Sequence, residues 1–132
     1  LATILIVDDE EPFRELLGDV LEHAGYRILL AINGRHAVEL LERERADLVL
    51  ADVMMPVLNG ASLCRLLKSE PGTASMPIIL MSAAGQRVAE GTGADAYLDK
   101  PFDLDQMQAL VHHTLPPGTV PAQGSPPLDS ES

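Results

Sequence analysis

Four short, uninterrupted apolar runs constrain this chain most: Ile4-Leu5-Ile6-Val7, Ile28-Leu29-Leu30-Ala31, Leu48-Val49-Leu50-Ala51 and Ile78-Ile79-Leu80-Met81. A strand with one wet face alternates apolar and polar residues, because successive side chains point to opposite sides. A continuous run instead predicts burial on both faces, the condition of a parallel sheet covered by helices. Ala96-Tyr97-Leu98 is a weaker fifth run. Amphipathic stretches lie between the runs. Phe13, Leu16, Leu17, Val20, Leu21 and Ala24 form one helical stripe, with Pro12 suited to its first turn and Gly25 to the left-handed position past its end. A second helix is expected from about Gly34 to Arg45, with Val38 and Leu41 inward. A third follows Asn59 as N-cap, with Leu63, Leu66 and Leu67 inward, and a last one follows Asp103, with Leu104, Met107 and Val111 on one face. Strict alternation of strand and helix predicts an open α/β sheet wound by right-handed crossovers.

Composition narrows the function. The chain has 132 residues, 46% of them hydrophobic, which suits one domain with a core that must be aliphatic, since there are two Phe, two Tyr and no Trp. The formal net charge is −11, and the body to residue 115 still carries −9 without Asp129 and Glu131. Such a surface repels phosphate backbones, so this domain is not expected to bind nucleic acid directly. Cys64 stands alone and makes no disulfide framework. His23, His36, His112 and His113 share no metal-ligand spacing with one another or with Cys64. No apolar run approaches the ~20 residues of a membrane span, and a cytoplasmic location is expected. Residues 116–132 hold half of the ten prolines and no apolar periodicity, which predicts a tail or interdomain linker after a domain of residues 1–115.

The polar residues at the run ends carry the chemistry. In open parallel sheets, ligands bind beyond the carboxyl ends of the strands. The first run ends in Asp8-Asp9, the third in Asp52, the fourth in Ser82, and Lys100 follows the fifth. Three carboxylates brought to one edge repel unless a cation joins them, and Mg²⁺ takes oxygen ligands while keeping waters that a phosphate can replace. A carboxylate nucleophile forms an acyl phosphate, and the metal, a lysine and a hydroxyl then stabilise its oxygens. Asp52, central in the sheet, is the expected nucleophile. Asp9 and Asp52 are expected to hold the metal directly and Asp8 through water. Gly60 is read as serving the turn into the third helix.

Four segments in order, ILIVDDE at 4–10, LVLADVMMPVLNG at 48–60, PIILMSA at 77–83 and GADAYLDKPF at 93–102, resemble the receiver domain of two-component response regulators. The resemblance covers roughly residues 3–115. It implies a flavodoxin-like three-layer α/β sandwich whose five-stranded parallel sheet has the order 2-1-3-4-5. It implies that Asp52 accepts a phosphoryl group from a phosphohistidine on a sensor histidine kinase or a histidine phosphotransfer protein. The Met54 backbone carbonyl matches the third protein ligand of Mg²⁺, Ser82 the switch hydroxyl, Tyr97 the switch aromatic and Lys100 the family's lysine, with a cis Lys100-Pro101 bond. Phosphate on Asp52 would draw Ser82 in and let the Tyr97 ring turn, shifting the surface around the fourth helix, fifth strand and fifth helix.

The chain departs from the pattern between Ser82 and Lys100, which are 18 positions apart, about one helical turn fewer than usual. With three glycines in that segment, the helix between the fourth and fifth strands is expected to be short or irregular. No Lys or Arg lies from 103 to 115, so a salt-bridged dimer lacks its basic half, and either a monomer or a phosphorylation-dependent dimer fits. Two alternatives carry less. A degenerate receiver would bind a protein partner without phosphate, yet all the chemical positions are filled. An aspartyl-phosphate phosphatase of the haloacid-dehalogenase type needs a second Asp two residues after its nucleophile, where this chain has Met54. The expected class is a signalling switch, not an enzyme on other substrates, with a downstream output domain or protein partner.

Overall fold

The computed structural model describes residues 2–116. The Pro-rich segment from 117 onward lies outside the described residues, so the expectation of a tail or linker is not addressed by it. Five strands run β1 (Thr3–Val7), β2 (Arg27–Ala31), β3 (Leu48–Asp52), β4 (Ile78–Ser82) and β5 (Ala96–Asp99). All neighbouring pairs are parallel, and the order is β2-β1-β3-β4-β5. This is the expected topology. The helices are α1 (Glu11–His23), α2 (Gly34–Leu41), α3 (Gly60–Ser69) and α4 (Leu104–Thr114). Between β4 and β5 stands only a four-residue 3₁₀ turn, Gln86–Ala89, so the expected shortening is realised in full.

The core has two halves, one on each face of the sheet. Leu5, Val7, Val49, Ala51, Ile78 and Leu80 face α2 and α3, where Ala37, Leu63, Cys64 and Leu67 pack. Ile4, Ile6, Leu48, Leu50, Ile79 and Met81 face α1 and α4, where Leu17, Leu21, Met107 and Val111 pack. Every residue of β1, β3 and β4 is buried, as continuous apolar runs require. No helix among the described residues is long and apolar enough to cross a membrane.

Four expectations need correction. β2 is apolar from Ile28 to Ala31 but lies at the sheet edge, and only Ala31 of it is fully buried. In α1 the buried residues are Arg14, Leu17, Gly18 and Leu21, while Leu16 is exposed. The stripe is turned because Gly18 lets Leu30 and Ile28 of β2 come within 3.3 and 3.6 Å of where its Cβ would stand. Leu66 is exposed, and Cys64 fills its place in the core. α2 ends at Leu41 rather than Arg45: the Glu42, Arg43 and Glu44 N–H groups still reach Val38 and Leu40 carbonyls, but the chain must turn so that the Asp47 N–H can donate to the Thr3 carbonyl at 2.7 Å and begin β3.

The caps follow the sequence. Asn59 accepts the Ser62 N–H with its side chain, and Asn33 does the same for His36. Asp103 occupies the N-cap of α4 without a side-chain bond. Gly25 takes φ +106° just past α1.

Candidate functional site

Side chains at the C-terminal edge of β1, β3, β4 and β5 form the site. Asp8 follows β1 directly and is fully buried, whereas Asp9 is exposed. One Asp8 carboxylate oxygen accepts the Glu10 N–H at 2.9 Å, and the other, Oδ2, is buried without a hydrogen-bond partner. Asp52 closes β3 and is also buried. One carboxylate oxygen from each of Asp8, Asp9 and Asp52 lies within 4.8 Å of the others. Among the described residues this is the one group of three or more acids, histidines or cysteines gathered closely enough to hold a metal.

Lys100 supplies the cation. Its Nζ lies 3.2 Å from Asp52 Oδ1 and 3.6 Å from Asp8 Oδ2. Burial pushes the Asp8 carboxyl above its ordinary value; the Glu10 N–H and the Lys100 ammonium pull it down, and the Asp9 and Glu10 charges push it up again. Burial likewise raises Asp52, opposed by Lys100 and reinforced by Asp8. One ammonium among three carboxylates leaves the cluster short of positive charge. The orphaned Asp8 oxygen, the all-oxygen donor set and that charge deficit fit a hard divalent cation such as Mg²⁺.

Ser82 ends β4 beside Asp52 and is buried; its Oγ accepts the Ala84 N–H at 2.9 Å. With that lone pair engaged, the hydroxyl proton is the part free to meet an anion. The Ser82 carbonyl accepts twice, from the Lys100 N–H at 3.0 Å and from the Tyr97 hydroxyl at 2.7 Å. Tyr97 is therefore tied to the backbone of the residue it was expected to follow. The Lys100-Pro101 peptide is cis, as expected. Met54 sits two residues past Asp52 with its side chain mostly in solvent, and no hydrogen bond to its carbonyl is found among the described residues.

Three neighbours escaped the sequence reading. Arg14 is buried, and its Nη1 donates to the Asp8 carbonyl at 2.7 Å, fixing the backbone from which Asp8 projects. A lone Arg beside an apolar stripe gives only a weak signal, because a solvated arginine reads the same way. Phe13, expected merely to face the core, lies under Lys100, with the ammonium 4.5 Å from the ring centroid. Gly60 does more than shape a turn: a Cβ there would stand 2.3 Å from the Asp52 carbonyl oxygen. α3 thus begins against the backbone of Asp52, which only glycine permits. The histidines stay apart from this centre, with His36 Nδ1 accepting the Ile32 N–H and His112 Nδ1 3.3 Å from the Tyr26 hydroxyl.

This arrangement has close counterparts. The sequence profile of the response regulator receiver domain matches residues 4–112. The chain belongs to that family. Among curated relatives of this receiver domain, the response regulator MprA of Mycolicibacterium vanbaalenii is 42% identical over 121 residues, covering 86% of this chain and 52% of MprA. The phosphate regulon transcriptional regulatory protein PhoB of Pseudomonas aeruginosa is 38% identical, covering 96% of this chain and 57% of PhoB. The chain spans about half the length of these relatives. The receiver domain also superposes on that of a signal transduction histidine kinase from Syntrophus aciditrophicus with a TM-score of 0.82 and 32% identity, covering 100% and 98% of the two chains. The response regulator TrrA of Thermotoga maritima, solved in complex with Mg²⁺-BeF, gives a TM-score of 0.79 at 32% identity over 87% of this chain and all of TrrA.

Proposed function

We propose that this receiver domain, residues 1–115, is a phosphorylation-controlled switch of a two-component phosphorelay, with Asp52 as phosphoacceptor. The observation that carries the reading is the buried Asp52 carboxylate, 3.2 Å from Lys100 and within 4.8 Å of the Asp8 and Asp9 oxygens, at the edge where parallel sheets bind ligands. Asp9, Asp52 and the Met54 carbonyl would hold Mg²⁺, and Asp8 would reach it through water. When bound, Mg²⁺ neutralises charge on the oxygens of the incoming phosphoryl group. An Asp52 oxygen lone pair forms the new O–P bond as the P–N bond of a kinase or phosphotransfer phosphohistidine breaks and its electron pair leaves with the imidazole. Lys100 supplies a counter-charge to the phosphoryl oxygens, and the Ser82 hydroxyl donates to one of them. A shift of Ser82 toward the phosphate moves its carbonyl and so disturbs the bond from Tyr97. The domain thereby changes its own surface and turns over no other substrate. It acts in the cytoplasm on a protein partner or on an output domain joined through 116–132, and makes no nucleic-acid contact itself.

Intact-mass spectrometry after incubation with acetyl phosphate tests this. One added phosphoryl group, absent without Mg²⁺ and absent in Asp52→Asn, is the expected result. Addition that survives Asp52→Asn would refute the assignment of Asp52. Absence of both phosphorylation and Mg²⁺ binding would leave a phosphate-independent module.

A further inference from the structure

We propose that Phe13 is a positioning residue for phosphoryl transfer, holding the Lys100 ammonium over its ring face beside Asp52. This rests on the reading of Asp52 as phosphoacceptor. Lysine carries a compact charge on a flexible four-carbon stem, so its direction must be imposed from outside. The Lys100 Nζ meets Asp52 at 3.2 Å and Asp8 at 3.6 Å. It also sits over the Phe13 ring at 4.5 Å from the centroid, inside the ~6 Å reach of a cation–π contact. The ring is itself held. Its centroid lies 5.9 Å from that of Phe102 at an interplanar angle of 58°, a tilted aromatic pair. Phe102 stands two residues after Lys100, so the ring under the ammonium is packed against the chain that carries the lysine. Glu10, Ala83, Pro101 and both rings line a cleft of about 360 Å³ beside the ammonium.

The contact does something the carboxylates cannot. When Asp52 becomes an acyl phosphate, the carboxylate charge that paired with Lys100 passes to the phosphoryl oxygens, and the 3.2 Å ion pair is lost. A ring face attracts the ammonium without taking its charge into an ion pair. It therefore keeps Lys100 directed at the reacting atoms while its partner changes from the Asp52 carboxylate to the phosphoryl oxygens.

Two readouts test this, with Phe13→Leu, Phe13→Tyr and 3,4,5-trifluorophenylalanine placed at position 13. The fluorinated ring keeps the packing while losing the negative face, so it guards against a simple folding defect in the leucine variant. The first readout needs neither Mg²⁺ nor phosphate. The chain has only two lysines, so Lys68→Arg assigns the ε-methylene signals in a ¹H–¹³C spectrum. The Lys100 signal is expected upfield from the ring current in wild type and Phe13→Tyr, and at its ordinary position in Phe13→Leu. The second is the Mg²⁺-dependent rate of phosphorylation by acetyl phosphate. It is expected to fall about 2- to 30-fold in the leucine and trifluoro variants, the span of cation–π strengths from exposed to desolvated sites, and to stay near wild type with tyrosine. A phosphorylated wild type whose rate is unchanged in both weakened variants overturns the role of Phe13 alone. A slow leucine variant with a trifluoro variant at full rate assigns Phe13 to shape and overturns the cation hold. A wild type that neither takes up a phosphoryl group nor binds Mg²⁺ overturns the phosphoacceptor reading and this role with it, and the Lys100 signal then reports separately whether the ring contact exists.

Discussion

The loop after β3 and the connection after β4 leave the same sheet edge but are fastened in opposite ways. The loop from Val53 to Asn59 is tied to other elements: the Val53 N–H donates to Met81 of β4, the Gly34 N–H at the start of α2 donates to the Leu58 carbonyl, and the Gly60 N–H of α3 donates to Val53. The connection from Ala83 to Asp95 is tied mostly to itself. Ala84 bonds Ser82, Val88 bonds Gly85, Glu90 bonds Arg87 and Thr92 bonds Ala89, each across two or three residues, before Asp95 reaches Ile78. Lys68 of α3 pins its far end through Asp95 at 2.8 Å. A loop held by three elements fixes the direction of Asp52. A connection held by short-range bonds is free to repack when Ser82 moves, without unfolding the sheet.

The largest expected effect breaks the fixed side. In Gly60→Ala the new Cβ would meet the Asp52 carbonyl oxygen at 2.3 Å and the Asp52 carbonyl carbon at 2.9 Å, backbone atoms of a buried strand that cannot turn aside. A loss of ~3 kcal/mol is expected in urea unfolding. Gly72→Ala, where an added Cβ meets nothing within 4 Å, should stay within ~0.5 kcal/mol. Equal small losses at both positions would mean that the loop yields and that the contrast between the regions is false.

Arg14→Met comes next. It removes the 2.7 Å bond from a buried guanidinium to the Asp8 carbonyl while keeping an unbranched side chain in the core. Hydrogen bonds involving a charged group contribute ~1.5–3 kcal/mol, and a loss of ~2 kcal/mol is expected, with weaker Mg²⁺ binding because Asp8 loses its fixed direction. Lys68→Met removes ties to Asp95 and to the Met76 carbonyl at a more exposed position and should cost only ~1 kcal/mol. Titration calorimetry should separate the two, with Mg²⁺ affinity changed by Arg14→Met and unchanged by Lys68→Met.

The legibility of the sequence divides along the same line. β1, β3 and β4 could be read because burial on both faces demands uninterrupted apolar residues, and Asp8, Asp9, Asp52, Ser82 and Lys100 could be read because they end or follow such runs. β2 has the same composition at a sheet edge, so its exposed side is invisible to composition. Arg14 was missed, and Phe13 and Gly60 were under-read, for one reason. Their roles are contacts between one element and the next or a more distant one, such as a guanidinium of α1 on the carbonyl after β1 or an α3 backbone against β3. Local periodicity carries no record of such contacts. The shortness of the β4–β5 connection was legible from spacing, but its single 3₁₀ turn and its reliance on Lys68 were not.

The acid cluster gives an effect of the opposite sign. Asp8 and Asp52 are both raised above 3.8, chiefly by burial, so the folded protein holds protons that the unfolded chain has already released. Metal-free stability should therefore fall as pH rises from about the ordinary carboxylate value through the raised ones, and recover on acidification through the same window. Asp8→Asn removes one buried charge, so its metal-free stability at neutral pH should rise by ~1 kcal/mol and its pH slope should flatten. Urea midpoints in a chelator across that window check both. A variant less stable than wild type at neutral pH would show that Lys100 already compensates the cluster in full.

The smallest expected effects come from two residues that share a backbone angle across the two regions. Val57, between Pro56 and Leu58 in the fixed loop, has φ +70° and is 74% exposed, while Gly91 in the loose connection has φ +75°. The Leu58 N–H closes a tight turn onto the Pro56 carbonyl at 2.8 Å around Val57, which keeps a β-branched residue where it is least at ease. Nothing lies within 4 Å of an added Cβ at Gly91, so an alanine there meets only the backbone penalty. Val57→Asn should therefore stabilise the protein and Gly91→Ala destabilise it, each by ~1 kcal/mol. The strain at Val57 is held by bonds to three elements, whereas Gly91 avoids strain because its short-range bonds have nothing to hold it with. If Val57→Asn instead lost stability, the exposed valine would be packing in the groove with Leu58 and Leu66, and the loop would owe its rigidity to side chains rather than to its backbone ties.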